Sequence, residues 1–171
     1  MHREKPVSTT HQMYLKTLYR LSQDHPVGRV RDLASQLDVT PGSVSTSLNK
    51  LHELGLVDRE RYGGAQLTAA GAAIAHCVVR RFETLKALLI ELFGVDPERA
   101  EADACLMEHA VSPSTVNRME ALLERLRAGE SINLEDLRHH HRAGKTACAE
   151  CEAADVCRAI DTVYPAPGDP A

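Results

Sequence analysis

Three cysteines near the C-terminal end of the chain are spaced as C-x2-C-x5-C: Cys148, Cys151 and Cys157. A Cys-x-x-Cys pair can bring two thiolates to one metal centre, and the third cysteine can complete a three-thiolate set. A zinc site would add one histidine, whereas an iron–sulfur cluster would add a histidine, a small molecule or a partner's residue. The candidate histidines are His139, His140 and His141. A tail with free thiols is the plain alternative to either site.

A second group of potential ligands combines three chemistries within five residues. Cys105, Glu108 and His109 are spaced i, i+3 and i+4, so on a helix they share one face. A thiolate, a carboxylate and an imidazole together can bind a borderline divalent transition metal. The alternative is a buried cysteine beside a surface Glu-His pair at a helix end. A metal site here requires a further donor from another segment.

Residues 38–54, DVTPGSVSTSLNKLHEL, are predicted to include the recognition helix of a helix-turn-helix. Thr40 suits the N-cap and Pro41 the first helical position. The buried stripe is predicted to be Val44, Leu48, Leu51 and Leu54. The opposite face carries short polar side chains that can enter a major groove, although a generic polar helix face would also look like this. The candidate DNA contacts are Arg31, Thr40, Gly42, Ser43, Ser45, Thr46, Lys50, Arg59 and Arg61.

The elements around this helix follow a recognisable order. A helix is predicted from His11 and a short second helix over residues 29–37, ahead of the recognition helix. A β-hairpin follows around Gly63 and Gly64, since paired glycines supply the positive φ of a tight turn. This order predicts a winged helix-turn-helix.

The second part of the chain is predicted to be helical, over residues 68–93, 98–111 and 113–128. These helices carry more apolar surface than so small a unit can bury, which predicts a two-fold dimer. The fold class is therefore mostly α, with a winged helix-turn-helix DNA-binding domain and a helical dimerisation domain. The predicted domains are residues 1–71, residues 72–129 and a Cys/His-rich tail over residues 130–171.

Composition and charge fit this organisation. The first 71 residues carry a net charge of +2 and the remainder −6, so the excess positive charge lies in the part assigned to DNA. No apolar run has membrane-spanning length and the N-terminus lacks a signal-peptide segment, so we expect a cytoplasmic protein with no membrane partner. In a reducing cytosol, clustered cysteines indicate ligation before disulfide bonding.

From Thr9 to about Leu126 the chain resembles the diphtheria toxin repressor family of metal-dependent regulators. The resemblance is carried by TTHQMYLKTLYRL, VTPGSVSTSLNKLHELGLV, LTAAG and DACLMEHAVS. It implies an activating metal site formed by Met13, Cys105, Glu108 and His109. Manganese-selective relatives carry carboxylates at the Met and Cys positions, so the soft donors here favour Fe(II), with Co(II), Ni(II) or Mn(II) as substitutes.

The chain also departs from the family in two places. The resemblance places Phe82, Lys86 and Glu101 at the family's ancillary metal site, and two of these cannot bind metal, so we expect that site to be absent in its usual form. Only about forty residues follow Gly129, too few for the family's SH3-like domain. The Cys-rich tail stands in its place.

The resemblance implies a metal-dependent repressor of iron-uptake genes that binds palindromic operator DNA as a homodimer. We favour an iron–sulfur cluster in the tail over zinc, because it would add a second iron or redox input. Another interpretation is a regulator of the same class in which the tail is the principal sensor, of redox state or of cluster supply. A metal-binding enzyme or redox adaptor, with Glu108 activating water, is the alternative from another class. We expect no enzyme, because neither a nucleophile elbow nor a phosphate loop is present.

Overall fold

The structure is a computed structural model that describes residues 7–23, 27–59 and 64–133. The chain divides into two compact units, residues 1–79 and residues 80–171. The division lies inside one long helix that begins in the first unit and ends in the second. Several predicted site residues lie outside the described residues: Arg61, His139, His140, His141, Cys148, Cys151 and Cys157.

The described residues are mainly helical, with one small sheet, which confirms the predicted fold class of a winged helix-turn-helix followed by a helical domain. The elements are α1 Thr9–Ser22, β1 Gly28–Arg29, α2 Val30–Leu37, α3 Pro41–Glu53, β2 Val57–Arg59, β3 Gly64–Leu67, α4 Ala69–Glu91, α5 Pro97–Met107 and α6 Pro113–Arg127.

The recognition helix α3 begins as its sequence predicts. Asp38 ends α2 in the left-handed conformation, with φ of 51°, and Thr40 caps α3 by accepting a hydrogen bond from the Ser43 N–H at 3.2 Å. The inward stripe is fully buried and consists of Val44, Leu48 and Leu51. These contacts fix α3 against the rest of the first unit and leave its polar face outward.

Leu54 was predicted to belong to this stripe, and that prediction is wrong. Its side chain is 42% exposed. The helix ends at Glu53, and Leu54 is the C-cap residue ahead of Gly55, whose φ is +69°. The left-handed turn at Gly55 redirects the chain, so the spacing that held along α3 no longer applies at Leu54.

The wing is a three-stranded antiparallel sheet in the order β1-β3-β2. Strand β2 pairs with β3 in the register Val57↔Leu67, as the predicted hairpin requires. Strand β1, which pairs Gly28 with Ala65, was not predicted. Two residues are too short to give an alternating pattern, so only the pairing partner defines this strand.

Thr68 joins the wing to α4. Its hydroxyl donates to the Gly55 carbonyl at 2.8 Å and accepts from the Gly71 N–H at 3.1 Å. A Cβ atom at Gly71 would lie 1.9 Å from the Leu56 carbonyl oxygen, so only glycine permits this approach of α4. The start of α4 is therefore anchored within the first unit.

The second unit packs the later part of α4 with α5 and α6. Its core is formed by Phe82, Leu85 and Ala104, with Cys105 and Met119 packed against them. The two following helices begin at the predicted caps: Asp96 accepts from the N–H groups of Glu98 and Arg99, and Ser112 accepts from that of Thr115. Arg80 pairs with Glu120, and Arg127 pairs with Glu91, across α4 and α6.

Candidate metal centre and DNA-contacting helix

Two of the predicted metal ligands lie directly after α5. The helix ends at Met107, and Glu108 is its C-cap residue, with its N–H still donating to the Ala104 carbonyl at 2.9 Å. His109 follows in a turn, whereas the sequence predicted one continuous helix to residue 111. The N–H groups of Ala110 and Val111 both donate to the Met107 carbonyl, which ends the regular helix there, and Ser112, ahead of a proline, is already extended with ψ of 151°.

The two side chains nevertheless converge. Glu108 is fully buried and His109 nearly so, and the Oε1 atom of Glu108 lies 3.1 Å from the Nε2 atom of His109. Two ligand atoms that are each about 2.1 Å from one metal ion lie about 3.0 to 3.4 Å apart. The separation and the donor types therefore fit two adjacent ligands of a transition-metal ion.

Cys105 lies one turn earlier on α5. It is a free, half-buried thiol that packs against the core of the second unit. Within the described residues, no group of three His, Cys, Asp or Glu side chains is arranged to hold a metal ion. The structure thus brings Glu108 and His109 together and does not add Cys105 to them as a third converging donor.

Met13 belongs to the first unit, on the outward side of α1. Its side chain is 38% exposed, and its carbonyl accepts a hydrogen bond from the Thr17 hydroxyl at 2.9 Å. The exposure leaves the Met13 side chain accessible to a ligand.

The three positions that the resemblance placed at an ancillary metal site form a cluster of another kind. The Nζ atom of Lys86 lies 2.7 Å from the Oε2 atom of Glu101 and 5.8 Å from the centre of the Phe82 ring. An ammonium group thus stands between a carboxylate and an aromatic ring.

The predicted DNA contacts on α3 lie on its solvent side. Gly42, Ser43 and Thr46 are exposed, and Ser45 is half-buried. The hydroxyls of Ser45 and Thr46 donate to carbonyls four residues earlier, at 3.0 and 3.1 Å. Each hydroxyl thus uses its one donor within the helix and keeps its lone pairs as acceptors. Outside α3, Arg31 is exposed and Arg59 is half-buried.

Lys50 has two neighbours that the sequence analysis missed. Its ammonium lies 2.8 Å from the Glu53 carboxylate, and this hydrogen bond lowers the pKa of Glu53. The pKa of His11 is also lowered, first by burial and then by the charge of Lys50. The i, i+3 spacing of Lys50 and Glu53 was a readable signal, whereas the approach of His11 from α1 was not. Lys50 is therefore partly neutralised before any phosphate approaches.

No helix among the described residues is long and apolar enough to span a membrane.

Two family models match the chain. The model for the iron dependent repressor N-terminal DNA binding domain matches residues 7–65. The model for the iron dependent repressor metal binding and dimerisation domain matches residues 68–132. The candidate metal ligands on and after α5 therefore lie in the part that matches a metal-binding domain, whereas the Cys-rich tail lies beyond both models.

Curated relatives agree with these matches. An uncharacterised HTH-type transcriptional regulator of Methanocaldococcus jannaschii is 32% identical over 116 residues, covering 67% of this chain and 92% of that protein. The regulator MntR of Shouchella clausii is 32% identical over 125 residues, covering 73% and 86%. The iron-dependent repressor IdeR of Mycobacterium bovis is 30% identical over 117 residues, covering 68% of this chain and 50% of the repressor.

Among solved structures, a manganese-dependent transcriptional repressor in complex with manganese superposes with a TM-score of 0.62 at 31% identity. The match covers 67% of this chain and 52% of that one. This chain therefore spans about half the length of that repressor and of the mycobacterial one.

Proposed function

Because this chain belongs to the iron-dependent repressor family, whose members are metal-dependent transcriptional repressors and not enzymes, we propose that it represses transcription in response to Fe(II). It does so as a homodimer on palindromic operator DNA. The observation that carries the metal-dependent part is the approach of Glu108 and His109 to 3.1 Å in a buried position.

The proposed ligands are Met13, Cys105, Glu108 and His109. A thioether and a thiolate are soft donors, which favour Fe(II), Co(II) or Ni(II), whereas Mn(II) prefers oxygen. The similar proteins include a repressor named for manganese and one named for iron, so the donor set and not the family supports the choice of metal. A bound Fe(II) would supply a positive centre that these four side chains share.

The chain's own residues then act as the switch. Met13 belongs to the DNA-binding unit, and the other three ligands belong to the second unit. In the proposed ligand set, binding of the ion by Met13 would restrain α1, and with it α3, which would raise the fraction of protein competent to bind DNA. When Met13 is not held, that restraint is absent and the competent fraction falls.

Dimerisation through the second unit has physical support. Large apolar side chains remain exposed there, with Leu106 77% and Phe93 64% accessible. Exposed side chains of this size are unfavourable in water and favour association with a second apolar surface. Two copies related by a two-fold axis would present two recognition helices to two half-sites.

For the tail, we propose an iron–sulfur cluster bound by Cys148, Cys151 and Cys157, with zinc in the same ligands as the alternative. Iron and acid-labile sulfide would be measured in full-length protein purified without oxygen. The control is Cys148→Ser/Cys151→Ser/Cys157→Ser. Iron and sulfide that disappear in the variant support the cluster, whereas zinc in their place contradicts it. A triple variant that no longer responds to Fe(II) would make the tail the principal sensor.

The central experiment measures DNA binding by fluorescence anisotropy, with an operator selected from a randomised duplex pool. We expect Fe(II) to raise the affinity of the full chain at least about tenfold, as a ligand with strong preference for the competent state does. His109→Ala should remove this effect, and His76→Ala, a change at an exposed histidine of α4, should retain it. Equal DNA affinity with and without divalent metal would overturn the proposal.

A further inference from the structure

We propose that Lys86 supplies a permanent cation to a cation-binding position formed by Glu101 and Phe82, so that the second unit is ordered there without a metal ion. One consequence is that each subunit takes a single activating metal ion outside the tail. This inference rests on the proposed function for the identity of that activating site, at Cys105, Glu108 and His109.

The position has the features of a cation site. The Glu101 carboxylate lies 2.7 Å from the ammonium, and the ring of Phe82 lies 5.8 Å from it. A carboxylate and the negative face of an aromatic ring both attract a cation. Phe82 is only 3% exposed, so the ring is held firmly by the core. Lys86 follows Phe82 by four residues on α4, which places the lysine on the same helical face as the ring.

The ammonium occupies this position better than a divalent ion could. Lys86 is covalently attached, so its approach to Glu101 costs no loss of translational freedom. A divalent ion would have to displace the ammonium or remain beside it, and like charges at such distances repel.

The cluster is connected to the candidate metal ligands through α5. Glu101 precedes Cys105 by one helical turn, and Phe82 belongs to the core against which Cys105 packs. The Lys86–Glu101 pair joins α4 to α5 one turn before Cys105 and so restrains the part of α5 that presents Cys105, although the Glu101 side chain is 57% exposed. Lys86 and Glu101 are positioning residues, since neither is a proposed ligand.

The first test compares Lys86→Met with Lys86→Arg in the full chain. Methionine keeps an unbranched apolar side chain and removes the charge, whereas arginine keeps the charge. In metal-free protein, Lys86→Met should lower the midpoint of thermal unfolding by a few degrees. Lys86→Arg should keep a midpoint close to that of the parent. A midpoint unchanged in Lys86→Met would overturn the ordering role.

The second test counts Co(II) bound without oxygen in the Cys148→Ser/Cys151→Ser/Cys157→Ser background, which removes the tail thiols. We expect one Co(II) per subunit, and an affinity about three- to tenfold weaker in Lys86→Met, as for loss of a group that orients a ligand. Lys86→Glu places a second carboxylate beside Glu101 and should create a second, weaker Co(II) site. The double variant Lys86→Glu/Glu101→Ala should lack this second site.

Two outcomes would overturn the inference here: a second Co(II) in the parent protein that Glu101→Ala removes, or an unchanged affinity in Lys86→Met. A different result would contradict the proposed function, namely that the His109→Ala variant still binds one Co(II) per subunit. The thermal unfolding midpoint of metal-free protein and the second Co(II) site created by Lys86→Glu do not depend on His109. Failure of this inference can therefore be distinguished from failure of the proposed function.

Discussion

The Oε1 atom of Glu108 lies 3.1 Å from the Nε2 atom of His109, and the Glu108 side chain is fully buried. A buried carboxylate requires a positive or donating neighbour. A ring N–H of His109 can meet that requirement, and a divalent cation bound by both side chains would meet it more strongly. If these two side chains bind the proposed metal ion, the stability of the second unit is coupled to metal binding.

Glu108→Gln tests this coupling with little change in volume. The amide removes the negative charge, so we expect Co(II) affinity to fall at least about tenfold, and the rise in thermal midpoint on adding Co(II) to disappear. Calorimetric titration and thermal unfolding measure the two effects. Glu124→Gln, an exposed change on α6, is the control; an equal loss in both variants would mean that overall charge and not the Glu108–His109 pair governs binding.

Met13→Leu tests the proposed ligand on α1. Leucine has a similar volume and no sulfur, so metal-dependent DNA binding should weaken by about tenfold or more. Light scattering should give the same proposed dimer for the variant and the parent. The control is Met119→Leu, since Met119 packs against the core of the second unit. Full activation by Fe(II) in Met13→Leu would exclude the sulfur as a ligand.

Thr40→Ala removes the cap of α3, where Thr40 accepts from the Ser43 N–H at 3.2 Å. Loss of an N-cap costs about 1 kcal/mol, so we expect the free energy of unfolding to fall by that amount and operator affinity to fall with it. Ser8→Ala removes the cap of α1 in the same unit. If both variants lose the same stability but only Thr40→Ala loses affinity, DNA binding requires Thr40 itself, as the cap of α3 or as a direct contact, and not the stability of the unit alone.

Glu53→Gln tests the competition for Lys50. The Lys50 ammonium lies 2.8 Å from the Glu53 carboxylate. In Glu53→Gln the ammonium becomes available to a DNA phosphate, which should steepen the slope of log affinity against log salt concentration by about 0.9. Affinity measured between low and moderate salt gives this slope. Asp58→Asn removes the same charge from an exposed site on β2; an equal change there would reduce the effect to net charge.

The ion pair of Glu91 with Arg127 predicts that the stability of the fold depends on pH. The hydrogen bond from the Arg127 guanidinium lowers the pKa of Glu91 below its ordinary value of 4.5. A carboxyl with a lowered folded-state pKa stabilises the fold above its unfolded-state pKa, and this contribution is lost as pH falls below 4.5 through the folded-state value. Both side chains are exposed, so the effect is small.

Chemical denaturation at pH 7 and pH 3 measures this contribution. Glu91→Gln should lose stability at pH 7, and this loss should be smaller at pH 3. In an Arg127→Gln background, Glu91→Gln should have no further effect at either pH. A loss of stability at pH 3 as large as that at pH 7 would contradict the assignment.

Much of the fold was determined by local sequence. The caps at Thr40, Asp96 and Ser112 act within four residues, and the apolar periodicity of α3 acts within the helix itself. Such features do not depend on the rest of the chain, so the order of helices and wing was predictable. The donor types at the candidate metal centre and the charge at position 86 are likewise properties of the residues alone.

The tertiary structure decided what depends on distant neighbours. The burial of Glu108, the approach of His11 to Lys50 and the clustering of Lys86 with Glu101 and Phe82 all require separate helices to pack. The strand β1 exists only because β3 pairs with it. Helix periodicity specifies which face is apolar, but burial and inter-helical distances follow from the packing of all the elements together, and that packing places a lysine's charge where the resemblance had placed a metal ion.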